Sequence, residues 1–259
     1  MTFEQTNIKE NLTFEKFIVG ESNKKAYQAA LNLTLEITKK EWLWISSCTG
    51  LGNTHLLHAI GNKLVEQESN LSIKQIHTHF FMLKVLESQQ NDSLNQLIEY
   101  YNNIDCLLLD GMTCSIMRRL SVSTHIREVL YAILLTRKKG GKLTVFTSDL
   151  PKDSSQHQSS SIKRLLNDCK SVTILQPGIT LKKQLIRHFA LQHGHEFSDD
   201  IISFISEQEA SNIRELEAQI NWIFLEEKPN EILSLSLDFI KTRYLRWYER
   251  FYRGKTLWV

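Results

Sequence analysis

Proline occurs three times and glycine ten times in the 259 residues. So few chain breakers argue against an all-β fold with its frequent tight turns, and favour long helices. No apolar run approaches the ~20 residues that a membrane-spanning helix needs. Met1 to Glu10 is polar and carries no apolar stretch of the secretion-signal kind, so the reading places the protein in the cytoplasm without a membrane partner. The four cysteines, Cys48, Cys106, Cys114 and Cys169, never form a C-x-x-C pair. Zinc needs closely spaced ligands, so these read as reduced, mostly buried thiols. His193 and His195 flank Gly194 without a ligand partner at metal spacing and read as a surface turn. A formal charge of +2 is too small to indicate a partner. What the chain does have is 42% hydrophobic and 23% charged residues, ordinary for a globular protein of this size and enough for a sizeable core.

Five short apolar runs read as strands: Trp42 to Ser46, Ile73 to Thr78, Ile104 to Asp110, Lys142 to Ser148 and Ser171 to Leu175. Each is nearly continuous rather than alternating, as a sheet covered on both faces requires. Helical spacing fills the gaps at Thr54 to Glu68, Phe81 to Tyr101, Ser123 to Lys139 and Ile162 to Asp168. Alternating strand and helix predicts a parallel α/β sheet. Beyond Pro177 only helices are expected, at Leu181 to His193, Asp199 to Glu207, Asn212 to Leu225 and Ser236 to Arg250. The predicted division is an N-terminal extension over 1–11, an α/β core over 12–176 and a helical domain over 177–259.

The segment WLWISSCTGLGNTHLLHA (Trp42 to Ala59) runs from strand through a small-residue loop into a helix. That is the setting of a phosphate-binding loop, where glycines turn backbone N–H groups inward and a helix N-terminus adds partial positive charge. The working pattern is G-x-x-x-x-G-K-[ST]. Ser47, Gly52, Asn53 and Thr54 stand at the four matching positions, with Gly50 inside the loop. The hydroxyl that would hold magnesium survives as Thr54, but the lysine has become Asn53, which brings no charge to a phosphate. Losing one member of a charge pair costs roughly 2–5 kcal/mol, which leaves room for no more than weak ADP or ATP binding with magnesium. On pattern alone, an ordinary glycine-containing turn fits as well.

Three segments in order resemble the AAA+ core of the DnaA replication-initiator family: LTFEKFIVGESNKKAYQAA (Leu12 to Ala30), GLGNTHLLHAIGNKL (Gly50 to Leu64) and SNIRELEAQI (Ser211 to Ile220). The resemblance implies an AAA+ αβα core with a helical lid. It implies that Val19, Gly20 and Asn23 lie beside an adenine, that Arg214 is the lid's sensor arginine, and that Ser148 or Asp149 ends a sensor strand. It places Asp110 at the magnesium-holding Walker B carboxylate, for which a plain strand-end carboxylate is the alternative. The catalytic acid that should follow is Gly111, and a glycine can neither polarise water nor take a proton. No arginine finger falls cleanly in IKRLLNDC (Ile162 to Cys169), although Lys163 or Arg164 could serve.

With lysine, acid and finger missing from one mechanism, no ATPase activity is expected. The resemblance covers Leu12 to Arg243, without the family's N-terminal helicase-interacting domain or its helix-turn-helix reader. In size the chain resembles short, Hda-like regulatory paralogues, but MTFEQTNIKE holds nothing like their QLSLPL clamp motif. The expected role is a catalytically inactive regulator or accessory factor of replication initiation, with an initiator or another replication protein as partner. A nucleotide-binding switch or helicase-loader-like factor is the first alternative. The second is a single-stranded DNA-binding accessory protein, using Arg118, Arg119 and the basic aromatic tail Arg243, Arg246, Trp247 and Arg250. Solvated charge at a helix start, and a packed last lid helix, explain the same residues without DNA.

Overall fold

The computed structural model describes residues 6–36, 41–67, 70–112, 123–152, 160–208, 210–225 and 235–252. Arg118, Arg119 and Cys114 lie outside the described residues. The contacts divide the chain into two compact units, 1–175 and 176–259.

The first unit is a five-stranded parallel sheet: β1 (Leu43–Ser47), β2 (Ile73–His77), β3 (Cys106–Asp110), β4 (Leu143–Ser148) and β5 (Lys170–Ile174), in the order β2-β3-β4-β1-β5. Every residue of β1, β3 and β4 is buried, the polar Ser46, Ser47, Asp110, Thr144, Thr147 and Ser148 included, as in a sheet covered on both faces. The edge strand β5 exposes Lys170, Ser171 and Thr173, so its sequence is more mixed. Around the sheet lie α1 (Lys24–Leu35), α2 (Asn53–Gln67), α3 (Thr78–Gln90), α4 (Leu94–Asn103), α5 (Ser123–Lys139) and the short α6 (Ser160–Leu165).

Two expectations need correction. The helix expected over Phe81 to Tyr101 is two helices, broken where Asp92 adopts φ 50°. Asparagine and aspartate tolerate that left-handed conformation, and their side chains favour turns over helix. Helix α1 was not predicted, although Ala26, Ala29 and Ala30 carry its buried face at helical spacing.

Residues 6–11, set apart as an extension, belong to the first unit. Gln75 on the edge strand β2 donates its N–H to the Thr6 carbonyl at 2.9 Å. Lys9 donates its N–H to His58 Nδ1 at 3.2 Å, while Asn62 Nδ2 donates to the carbonyls of Lys9 and Leu12 at 2.9 and 2.8 Å. Ile8 lies against Gly61, where an added Cβ would meet Ile8 Cδ1 at 2.7 Å. The segment is thus a strap along α2.

Arg137, in the last turn of α5, is fully buried. It donates to the carbonyls of Tyr101, Ile104 and Leu143 at 2.6, 2.7 and 2.6 Å, and to Thr144 Oγ1 at 3.1 Å. One guanidinium fork therefore ties α4, α5 and the amino end of β4 together. Burial pulls its pKa down to about 10, still leaving it charged at neutral pH.

The second unit contains α7 (Ile179–Gln192), α8 (Asp199–Glu207), α9 (Ile213–Leu225) and α10 (Leu237–Tyr252). Asp199 and Asp200 open α8, where negative charge favours a helix N-terminus. Helix α9 opens on a reciprocal cap. The Glu215 N–H donates to Asn212 Oδ1 at 2.9 Å, and Glu215 Oε2 accepts the Ser211 N–H at 2.7 Å. His193 and His195, on either side of Gly194 at φ 78°, stack on Phe224 with centroids 4.4 and 5.1 Å away.

Candidate functional site

The site stands at the carboxyl ends of three adjacent strands, β3, β4 and β1, where open α/β sheets place their ligands. Beyond β1 the chain crosses a loop with Gly50 at φ 82° and Gly52 at φ 107° before α2 begins at Asn53. Both values lie in the left-handed region that only glycine enters cheaply. Gly52 has a second reason to be glycine: a Cβ there would meet the Phe17 ring at 2.9 Å. Phe17 is held over the loop by His55 on one side, edge to face at 5.1 Å, and by Tyr27, stacked at 6.0 Å.

Side chains within the first turn of α2 reach two strand ends. Thr54 Oγ1 donates to Asp110 Oδ2 at 3.0 Å, and Asp110 Oδ1 accepts from Thr147 Oγ1. Asn53 Nδ2 donates to the Ser148 carbonyl at 3.1 Å. That carbonyl can only accept, so the amide's orientation is fixed and Oδ1 points the other way. Asn53 Oδ1 is buried and has no hydrogen-bond partner among the described residues. Asp110 is buried at the end of β3 and forms no ion pair among the described residues.

Gly111, directly after Asp110, has φ 73° and donates its N–H to Thr147 Oγ1 at 2.9 Å. A Cβ at this position would lie 2.5 Å from His77 Nε2. His77 cannot easily withdraw, because its Nδ1 accepts the His79 N–H at 3.2 Å and caps α3. An acidic residue at 111 would therefore meet both a left-handed backbone and an occupied space. His77, missed by sequence reasoning, carries no motif that would have marked it.

The other expected residues are distributed as follows. Asn23 is buried with both polar ends engaged: Oδ1 accepts the Gly20 N–H at 2.8 Å and Nδ2 donates to the Ile18 carbonyl at 2.9 Å. It shapes the turn carrying Val19, which is exposed. Ser148 turns its hydroxyl to the Met112 carbonyl at 2.6 Å and takes the Leu150 N–H at 3.1 Å. Arg214 is exposed on α9 of the helical unit. Along α10, Arg243 and Trp247 are buried, with Arg243 over the Phe239 ring at 5.3 Å, so these two pack rather than face solvent. Arg246 and Arg250 remain exposed, with Arg250 over the Trp222 ring at 5.2 Å. Of the cysteines described, Cys106 and Cys169 are buried and Cys48 is exposed, which corrects the expectation for the last.

The family model for the bacterial DnaA ATPase domain matches residues 8–168. The chain belongs to the bacterial DnaA family. A DnaA chromosomal replication initiator from Lactiplantibacillus plantarum is 32% identical over 220 residues, covering 83% of this chain and 47% of that protein. The chain thus spans about half the length of the curated relatives it matches. Domain III of the Thermotoga maritima replication initiation protein DnaA superposes with a TM-score of 0.82 at 24% identity, covering 92% of this chain and 97% of that one. A DnaA structure with AMPPCP and single-stranded DNA bound gives a TM-score of 0.75 at 22% identity, over 85% of this chain and 66% of that one. These likenesses give the fold: an AAA+ parallel sheet of the DnaA kind, with a helical unit after it.

DnaA membership implies ATP and magnesium, so the donor set is measured against them. Gly50, Gly52, Thr54 and Asp110 fit: the loop glycines are in place, and hydroxyl and carboxylate stand together. Asn53 and Gly111 do not fit. Asn53 commits its donor to Ser148 and has left only an acceptor, where a triphosphate calls for a cation or a donor. No step of hydrolysis can be derived through such a set.

Proposed function

We propose that this DnaA-family protein is an accessory or regulatory factor of replication initiation that acts by protein contact, without ATP turnover. The observation that carries the proposal is the Asn53 amide bound to the Ser148 carbonyl, at the place of the phosphate-reaching lysine. Gly111 beneath His77 supports it, because the position of the water-activating acid offers no functional group. The partner argued for is an initiator of the same family: AAA+ subunits associate through the faces around the nucleotide site, and a non-hydrolysing subunit can still dock there. That part rests on fold-level analogy.

The test combines the purified chain with a full-length DnaA initiator and reads complex formation by sedimentation, alongside phosphate release from ATP by this chain alone. A complex whose stability is the same with ADP, ATP or neither, together with no release above buffer, is the expected result. Failure to form a complex, or turnover by the chain itself, contradicts the reading.

One observation favours a second reading. Thr54 and Asp110 keep the hydroxyl–carboxylate pair of a magnesium site at 3.0 Å, as a nucleotide-binding switch or helicase-loader-like factor would need. Single-stranded DNA binding is favoured only by the exposed Arg246 and Arg250, and would show as steep salt dependence of affinity.

A further inference from the structure

The hydrogen bonds around Asn53 have a consequence for how the site is controlled. Consecutive residues of α2, Asn53 and Thr54, reach different strands: Asn53 the last residue of β4, Thr54 the last residue of β3. The two strand ends are themselves joined, since Thr147 on β4 donates to Asp110 on β3 and accepts the N–H of Gly111. The Met112 N–H also donates to the Thr147 carbonyl at 2.7 Å. The start of α2, the end of β3 and the end of β4 therefore form one hydrogen-bonded ring made wholly of the chain's own groups. Phe17, beyond the strap in sequence, lies against the same loop at Gly52.

A lysine at position 53 would behave differently. It offers an ammonium on a long stem, suited to a phosphate anion and less suited to a single fixed bond with a backbone carbonyl. The short planar amide has the reach and the directed N–H for that bond. Its Oδ1 has no hydrogen-bond partner among the described residues.

We infer that Asn53 is an internal latch: its amide holds the phosphate loop to the end of β4, so that the geometry of the loop no longer depends on a bound nucleotide. This deepens the proposed function, and rests on it only for the claim that a nucleotide-independent shape is what a partner meets. The latch itself concerns the isolated chain.

Amide hydrogen exchange on the whole chain tests it, with peptides covering residues 50–58 and 143–150. Asn53→Asp keeps the size of the side chain and sets an acceptor against the Ser148 carbonyl. Exchange should rise about five- to tenfold in both segments, the range expected when one hydrogen bond of about 1 kcal/mol or slightly more is lost. The amides of α8, in the other unit, should not change. Asn53→Ala adds no charge and is read in the same way should the aspartate variant lose its fold. Asn53→Lys should also loosen both segments, and millimolar ADP with magnesium should tighten them again, whereas the wild type should not respond to ADP.

Faster exchange in the loop segment alone, no change in either segment, or protection of the wild type by ADP overturns the latch. A chain that passes this test yet forms no complex with an initiator keeps the latch and loses the proposed function.

Discussion

At the scale of residues, Asn53 and Gly111 could be read directly, because both sit at positions of a spaced motif. What they touch could not. No pattern announces that Asn53 bonds a carbonyl 95 residues away, or that His77 fills the space over Gly111. Arg137 makes the same point away from the site. In sequence it is one of three basic residues in the last turn of α5, with no motif around it. In the structure it is fully buried and serves three carbonyls, two at the end of α4 and one at the start of β4. Arg137→Met should lower stability by about 3 kcal/mol: several charge-assisted bonds are lost and buried carbonyls are left unpaired, offset in part by no longer burying a cation. Arg137→Lys should recover less than half, because an ammonium lacks the fork. Urea unfolding measures both, and a loss below about 1 kcal/mol for the methionine variant would remove Arg137 from this role.

At the scale of elements, the strands could be read to within two residues because β1, β3 and β4 are buried along their whole length and each carries a short apolar run bounded by polar residues. Helix α1 was missed although its alanines stand at helical spacing, whereas the break at Asp92 was not legible, since one left-handed residue decides it. The strap on α2 was equally hidden: its bonds run between backbone groups and the side chains of His58 and Asn62. That strap gives a pH prediction. Burial is the main cause that lowers the His58 pKa below the ordinary 6.5, with Lys9 and His55 acting the same way and Asp110 opposing. Neutral His58 accepts the Lys9 N–H; the protonated ring cannot. A folded pKa below the unfolded one means that the unfolded chain binds more protons, so this stability is whole above pH 6.5 and is lost as pH falls through the lowered value. His58→Asn keeps an acceptor without a titration and should flatten stability between pH 6.5 and 5 in urea unfolding. A wild type already flat over that range would contradict the assignment.

At the scale of the molecule, the sequence carried the architecture well: alternating strand and helix followed by helices alone are an AAA+ sheet and a four-helix unit among the described residues. Gly50 to Thr54 were legible as candidate positions because that loop is contiguous in sequence, while Asp110, far from it in the chain, was marked by the family resemblance and stands beside Thr54 in the structure. Arg118 and Arg119 remain expectations, being outside the described residues. The central claim is that the family's fold is kept here while its dependence on nucleotide is lost. Calorimetric titration of the wild type and of Asn53→Lys with ADP, and with ATP plus magnesium, tests that claim most directly. No binding by the wild type near millimolar nucleotide, with measurable binding restored by the lysine, is the predicted result. Micromolar binding by the wild type would contradict it, and would mean that the backbone loop with Thr54 and Asp110 holds nucleotide without the lysine.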